Sequence, residues 1–236
     1  MEIIPNVHVI PSLTANPFLL IDRDGLTLID TDIPGSANKI LRYIKRLGYS
    51  LKDLNRILLT HGDYDHAGSV AALKKATGAR IHASLFEARA VAHGKFPRSL
   101  ITGNPFVKPI FALAERLGRI RPAHVDEHLS DGQVLPVLNG LHVVDTKGHT
   151  PGHLSFFAPS LGVLFSGDSL VPVKNQMVGS HDWVTWDQKK ADEAVRKQLA
   201  LGARIFCSGH GRVLVQTMVG LFQPQRQLAL VPIRNR

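Results

Sequence analysis

The feature that most constrains this chain is His61-Gly62-Asp63-Tyr64-Asp65-His66, four metal-competent side chains within six residues. It directly follows residues 56–60, an aliphatic run that reads as a strand. A tight loop leaving a strand turns alternate side chains into one cavity, and imidazole nitrogen and carboxylate oxygen both bind a divalent borderline metal at about 2.0 to 2.2 Å. Taken alone, the segment also reads as a polar, solvated turn whose aspartates cap the next helix. Three further segments weigh against that. Gly148-His149-Thr150-Pro151-Gly152-His153 lies between two predicted strands, Gly167-Asp168-Ser169 follows the run 163–166, and Ser208-Gly209-His210-Gly211 follows the run 204–207. Each sits where a loop leaves a sheet, and the neighbouring glycines allow the backbone to approach a metal closely.

The surrounding pattern is that of an α/β domain. Strands are expected at 7–10, 17–22 and 25–30, with Asp24-Gly25 as a hairpin turn. Ile40, Leu41, Ile44 and Leu47 then recur at helical spacing after Pro34-Gly35, and Gly48 closes the helix. The strand at 56–60 leads through the His61 loop into a helix at 67–77, stopped by Gly78, and a strand at 79–83. From residue 86 to about 128 the periodicity is poor and Pro97, Pro105, Pro109 and Pro122 interrupt it, which suggests short helices or a surface excursion serving as a lid. Strands return at 133–138, 141–145, 154–158, 163–166 and 204–207, and a helix is expected at 187–201. Residues 1–215 therefore read as one domain and 216–236 as a C-terminal extension.

Composition narrows the chemistry. A chain of 236 residues can bury a core without disulfides. Its single cysteine, Cys207, excludes an internal disulfide and a cysteine-rich zinc module, so ligands must come from His and Asp; Cys207 itself reads as a buried structural thiol. Hydrophobic residues make up 44% of the chain, yet no uninterrupted apolar run approaches the roughly 20 residues of a membrane span. The N-terminus MEIIPNVHVIPS lacks a basic leader and a cleavage site, so a cytoplasmic protein without membrane contact is expected. The net charge of +9 favours anionic partners, a small substrate first and nucleic acid second; the oligomeric state is open. Lys95, Arg98, Lys108, Arg116, Arg119 and Arg121 face only one acid, Glu115, in their segment. That segment reads either as an attractor for an anionic substrate, with Phe96 and Phe106 at an apolar entrance, or as a solvated basic face.

The order THGDYDHAG, GHTPGH, SGD, SGHG resembles the metallo-β-lactamase superfamily, especially its glyoxalase II-like and lactonase-like branches, over roughly residues 5–215. The resemblance implies a four-layer αββα sandwich with a binuclear metal centre along the edge where the sheets meet. By position, His61, Asp63 and His149 would hold a first metal, Asp65, His66 and His210 a second, and Asp168 would bridge them. It further implies two divalent ions, zinc foremost, whose bridging hydroxide cleaves a small ester, thioester or lactone, with Asp65 and Asp168 as the catalytic carboxylates. Phosphodiesterase or nuclease activity, and a non-catalytic metal-binding role, are the alternatives. Glyoxalase II relatives carry an additional C-terminal helical region, and the short stretch after His210 favours a lactone or acyl-thioester over a glutathione substrate.

One departure from the pattern matters. Most relatives carry histidine where this chain has Asp63, within HxHxDH, so the motif here is HxDxDH. Aspartate is shorter, anionic and harder, which implies a weaker zinc preference, tolerance of manganese or iron at that site, and a less acidic bridging water. The alternative is an empty first site. Nearby, His153 reads as an outer partner of the ligands or, in preference, as packing at a strand start. His181 and Asp182, beside Trp183 and Trp186, read as a pocket wall or a surface loop. Asp30 and Asp32 read as supports of the metal loop or, in preference, as caps of the following helix.

Overall fold

In the computed structural model, which describes residues 1–98 and 120–216, the apolar strands build two stacked sheets. The first sheet follows chain order: β1 (Glu2–Ile4), β2 (Val7–Val9), β3 (Phe18–Asp22), β4 (Gly25–Ile29), β5 (Leu54–Leu58), β6 (Arg80–Ala83) and β7 (Glu127–His128). Pairing is antiparallel as far as β4 and parallel from β4 to β7. Parallel neighbours need crossovers. Helices α1 (Ala37–Arg46) and α2 (Val70–Thr77) supply two of them, and α3 (Leu85–His93) begins the third.

The second sheet contains β8 (Val134–Leu135), β9 (Leu141–Asp145), β10 (Leu154–Ala158) and β11 (Val163–Gly167). Next come the separate hairpin β12 (Leu170–Val173) and β13 (Gln176–Gly179), helix α4 (Gln188–Leu199), and strands β14 (Ile205–Ser208) and β15 (Leu214–Val215). Its strand order is β15-β14-β11-β10-β9-β8, with β11 and β14 parallel.

Successive strand residues point to opposite faces, and here they sort into separate cores. Leu19, Leu28 and Ile57 pack with Ile40 and Ile44 of α1 and Leu73 of α2. Their neighbours Leu20, Ile29 and Leu58 turn the other way, against Phe156 and Phe165 of the second sheet, where Phe18 and Phe165 meet edge to face at 5.4 Å between centroids. On the far side, Phe157, Leu164 and Phe206 pack against Val195 of α4. The result is the expected αββα sandwich. Among the described residues no helix is long and apolar enough to cross a membrane.

Three differences from the sequence pattern have local causes. The strand expected at 133–138 is confined to Val134–Leu135, because Leu138 and Asn139 adopt positive φ and turn the chain. The β12-β13 hairpin was not anticipated; its turn, Lys174-Asn175, carries positive φ at both positions, the two-residue geometry that hairpins favour. The segment read as a lid opens with α3, capped by the Ser84 side chain and closed by Gly94 in the left-handed region. Ile120, Ala123 and Val125, from the end of that segment, belong to the first core. The rest of the expected lid, with Phe106, Lys108, Arg116 and Arg119, lies outside the described residues, as does the C-terminal extension beyond residue 216.

Asp32 ties this core to the loops above it. Its carboxylate accepts from Ser12 Oγ at 2.6 Å, from Ser36 Oγ at 2.8 Å, and from Thr14 and Lys39. Ser36, not Asp32, is the N-cap residue of α1, so Asp32 fixes the helix start through Ser36 and Lys39 instead of capping it. Burial works to raise the Asp32 pKa, but Lys39 and the Ser12 and Thr14 hydroxyls outweigh it and hold the group at about 2. A depressed carboxyl stabilises the fold above its unfolded pKa and loses that contribution as pH falls through the folded value. Asp32→Asn should therefore cost about 2 kcal/mol at neutral pH, and the gap to wild type should narrow below about pH 4 and close near pH 2. Urea unfolding of both proteins across that range checks this; a gap independent of pH would contradict it.

Candidate metal centre

Strand β5 delivers the His61 loop to the edge of the sandwich, and Asp30, just past β4, holds it there. The Asp30 carboxylate accepts from the Thr60 amide at 2.8 Å and the Thr60 hydroxyl at 2.7 Å, and it lies 2.8 Å from His66 Nδ1. Asp30 is thus a support of the loop, and the preference for a helix cap is corrected. The Leu154 amide donates to the Thr60 carbonyl at 2.9 Å, joining the two sheets at this point. From the second sheet come the His149 loop between β9 and β10, Asp168 after β11, and His210 after β14. Gly209 is required here by space: a Cβ at that position would lie 2.3 Å from Asp168 Oδ1 and 2.6 Å from the His66 ring.

The structure brings all seven expected side chains to one cavity. Two groups of three gather donor atoms within ligating distance of one another: His61, Asp63 and His149, and Asp65, His66 and His210; Asp168 forms a third group with His61 and His66. Asp63 Oδ2 lies 3.5 Å from both His61 Nε2 and His149 Nε2. In the second group, Asp65 Oδ2 is 3.3 Å from His210 Nε2, and the His66 and His210 Nε2 atoms are 3.4 Å apart. Asp168 reaches both sides, with Oδ1 3.2 Å from His66, and Oδ2 3.2 Å from His210 and 3.6 Å from His149. Four-coordinate binding at about 2.0 to 2.2 Å separates neighbouring donors by roughly 3.3 to 3.6 Å, so these spacings suit cations.

The electrostatics agree. His61 Nε2 is buried without a hydrogen-bond partner among the described residues, and Asp168 Oδ1 has there only its ion-pair contact with His66; such under-satisfied atoms are costly unless something binds them. The carboxylate facing His66 Nδ1 favours the proton on that nitrogen, leaving the Nε2 lone pair directed inward. Carboxylate charge also pulls protons onto the imidazoles. Burial alone would lower the His210 pKa, yet Asp168 and Asp65 raise it to about 10, and Asp168, Asp30 and Asp65 likewise raise His66 against burial. Burial pushes His149 down to about 4. The cavity has a deficit of positive charge that divalent ions would fill.

Around the centre, the sequence reading missed Glu87 and preferred other roles for His153 and Arg98. Glu87, on the buried face of α3, accepts from the Gly62 amide at 2.7 Å, the Gly152 amide at 2.9 Å and the Thr150 hydroxyl at 2.6 Å, so one carboxylate spans the two loops that carry candidate ligands His61 and His149. His153 accepts from the Asp168 amide through Nε2 at 3.1 Å, while Nδ1 lies 2.8 Å from Thr146 Oγ1. It is an outer partner of the cluster, not merely packing at a strand start. Arg98 lies against Asp63, with Nη1 2.7 and 2.8 Å from the two carboxylate oxygens. The only sequence signal for Arg98 was its place in a basic segment. His181, Trp183 and Trp186 are exposed; their loop is anchored by the Trp186 amide donating to the His149 carbonyl at 3.1 Å. Cys207 is buried, with its pKa raised by that burial.

Comparison with known proteins places this arrangement. The probable metallo-hydrolase YflN of Bacillus subtilis (strain 168) is 26% identical over 231 residues, covering 89% of this chain and 85% of that one. A hydroxyacylglutathione hydrolase of Cereibacter sphaeroides (strain ATCC 17025) is 32% identical over 204 residues, 85% of this chain and 64% of the relative. Among solved structures, the Cronobacter sakazakii metallo-beta-lactamase with a HARLDQ motif superposes with a TM-score of 0.68 at 28% identity, covering 89% of this chain and 77% of that one. A metallo-beta-lactamase family protein of Thermus thermophilus shares the fold with a TM-score of 0.70 at 24% identity, over 91% and 76% of the two chains. The Metallo-beta-lactamase superfamily profile matches residues 11–210. The chain belongs to the metallo-beta-lactamase superfamily and is a metal-dependent hydrolase.

Proposed function

We propose that the protein hydrolyses a small acyl substrate, an ester, thioester or lactone, at a centre of two divalent cations. The observation that carries this reading is the pair of donor clusters with Asp168 in reach of both. His61, Asp63 and His149 would hold one ion, Asp65, His66 and His210 the other, with Asp168 between them. Bound there, zinc foremost, or manganese or iron beside Asp63, supplies a Lewis acid and lowers the pKa of water.

The protein's own groups prepare this chemistry. Asp65 and His210 are the exposed members of the set, at 33% and 37% of their side-chain surface, whereas the His61, His66 and His149 side chains are almost wholly buried. Substrate therefore meets the Asp65 and His210 side, where the Asp65 carboxylate can pass a proton to a leaving group. Asp30 and His153 orient His66 and Asp168 from behind, and Glu87 holds the His61 and His149 loops at a fixed separation. The hydroxyacylglutathione hydrolase relative supports an acyl substrate, and this chain spans 64% of that protein. Phosphodiester cleavage is the second reading, favoured by the net charge of +9.

A panel of lactone, thioester, β-lactam and phosphodiester substrates, offered to chelator-stripped and zinc-, manganese- or iron-loaded protein, separates these readings. Turnover of an acyl substrate that returns only on metal loading is expected. Phosphodiester cleavage alone, falling steeply with ionic strength, would overturn the acyl assignment. Asp168→Ala should abolish turnover, and near-normal rates in that variant would remove its place between the ions. Glu87→Gln, which leaves an amide facing donors that need an acceptor, should lower metal affinity or turnover by about 10- to 100-fold while the protein stays folded by circular dichroism; unchanged values would reduce Glu87 to a packing role.

A further inference from the structure

Arg98 is placed as no surface arginine would be. Its side chain is only 3% exposed. Nη1 donates to both oxygens of Asp63, at 2.7 and 2.8 Å, and Nη2 lies 3.3 Å from His149 Nε2. The guanidinium is also anchored from behind, Nε and Nη2 donating to the Val184 carbonyl at 3.1 and 2.8 Å. The segment carrying Val184 is itself bound to the His149 loop through the Trp186 and Asp187 amides. One planar cation thus engages two of the three donors of the first cluster, on the atoms a metal would use. Among the described residues, no lysine or arginine pairs with the second cluster in this way: Asp65, His66, His210 and Asp168 face one another.

We propose that Arg98 is the resident cation of the first cluster, competing with a divalent ion for Asp63 and His149, so that the second cluster fills first and the first fills only as Arg98 withdraws. The inference rests on the two-metal reading above. Its physical basis is charge. A guanidinium nitrogen shared between both oxygens of a buried carboxylate makes a strong charge-assisted pair, and a divalent ion brought to the same oxygens must break that pair and face a like charge a few ångströms away. The departure from histidine at position 63 acquires a reason: an aspartate there demands a counter-cation that a neutral imidazole would not, and Arg98 meets the demand. Asp63 and Arg98 form a matched pair.

The test is a zinc titration of the metal-free full-length protein against a competing chelator, with bound metal counted by mass spectrometry and repeated with cobalt(II) followed by visible absorption. Wild type should bind one equivalent tightly and a second more weakly. Arg98→Met should tighten the second by about tenfold or more, a competition worth about 1.4 kcal/mol, and His66→Ala should remove the tight equivalent. Two equivalents of equal affinity in wild type, or a second equivalent unchanged or weakened in Arg98→Met, would overturn the proposal while leaving the two-metal reading intact. Binding of no metal by any of these proteins would overturn both. If thermal melts show Arg98→Met to be unfolded, Arg98→Lys decides: it keeps the charge but loses the two-nitrogen anchorage on the Val184 carbonyl that fixes the cation over Asp63, and its second equivalent must tighten several-fold, an unchanged value sinking the idea.

Discussion

The constraint on which the rest of this structure depends is the burial of several carboxylates where two sheets meet. Asp30, Asp63, Glu87 and Asp168 are all withdrawn from water, and a buried carboxylate left uncompensated costs several kcal/mol. The surrounding architecture reads as a set of answers to that problem. Asp30 is answered by the Thr60 amide and hydroxyl and by His66. Glu87 is answered by two amides and a hydroxyl, and burial, its main influence, raises its pKa. Asp63 is answered by Arg98. Asp168 is answered by the His66 and His210 imidazoles, which outweigh burial and hold its pKa well below the usual carboxylate range.

These answers also divide labour. Carboxylates that use up their lone pairs on backbone amides, Glu87 above all, serve the geometry of the loops. Those that face only imidazole nitrogens, Asp65 and Asp168, keep lone pairs directed at the cavity. The difference follows from which element carries each group. Glu87 sits on α3, packed behind the loops, where amides of two loops converge on it; Asp168 sits at the exit of β11, where histidines from three other loops converge. A cation entering the cavity binds the folded state alone and adds its binding free energy to stability, so the site is coupled to the fold it sits on.

Much of this was legible in the sequence because it is local. Strands β9 and β10 have the bounds that their apolar and β-branched character suggested, and the seven side chains proposed as ligands lie close together, because each sits at a strand exit where a short glycine-bearing loop leaves few directions to point. What the sequence concealed is tertiary. Glu87 lies among alanines and valine on α3, and nothing in its own segment reveals that the amides of Gly62 and Gly152 await it. Asp30 and Asp32 look alike, two positive-φ aspartates two residues apart, yet one faces the metal loop and the other faces Ser12, Ser36 and Lys39. His153 resembles a strand residue until the Asp168 amide is seen to point at it. The β12-β13 hairpin was missed because its turn, Lys174-Asn175, lacks glycine.

The same distinction bears on Asp63, read from the sequence as a departure from the HxHxDH pattern. Read along the chain, Asp63 in place of histidine is a change of ligand, and its consequence is a change of metal preference. Read in space, it is a change of charge, because the substituted group is buried and its new negative charge has to be balanced whether or not a metal is present. A histidine at that position could wait neutral for its ion. An aspartate cannot wait without a partner, and the chain supplies one from a segment 35 residues away in sequence. If Arg98 is the resident cation of the first cluster, as proposed, the centre can fold without a first metal, at the cost of weaker binding there. Whatever ion the first cluster takes must offer Asp63 more than a guanidinium already does, which shifts selection toward hard, carboxylate-preferring cations.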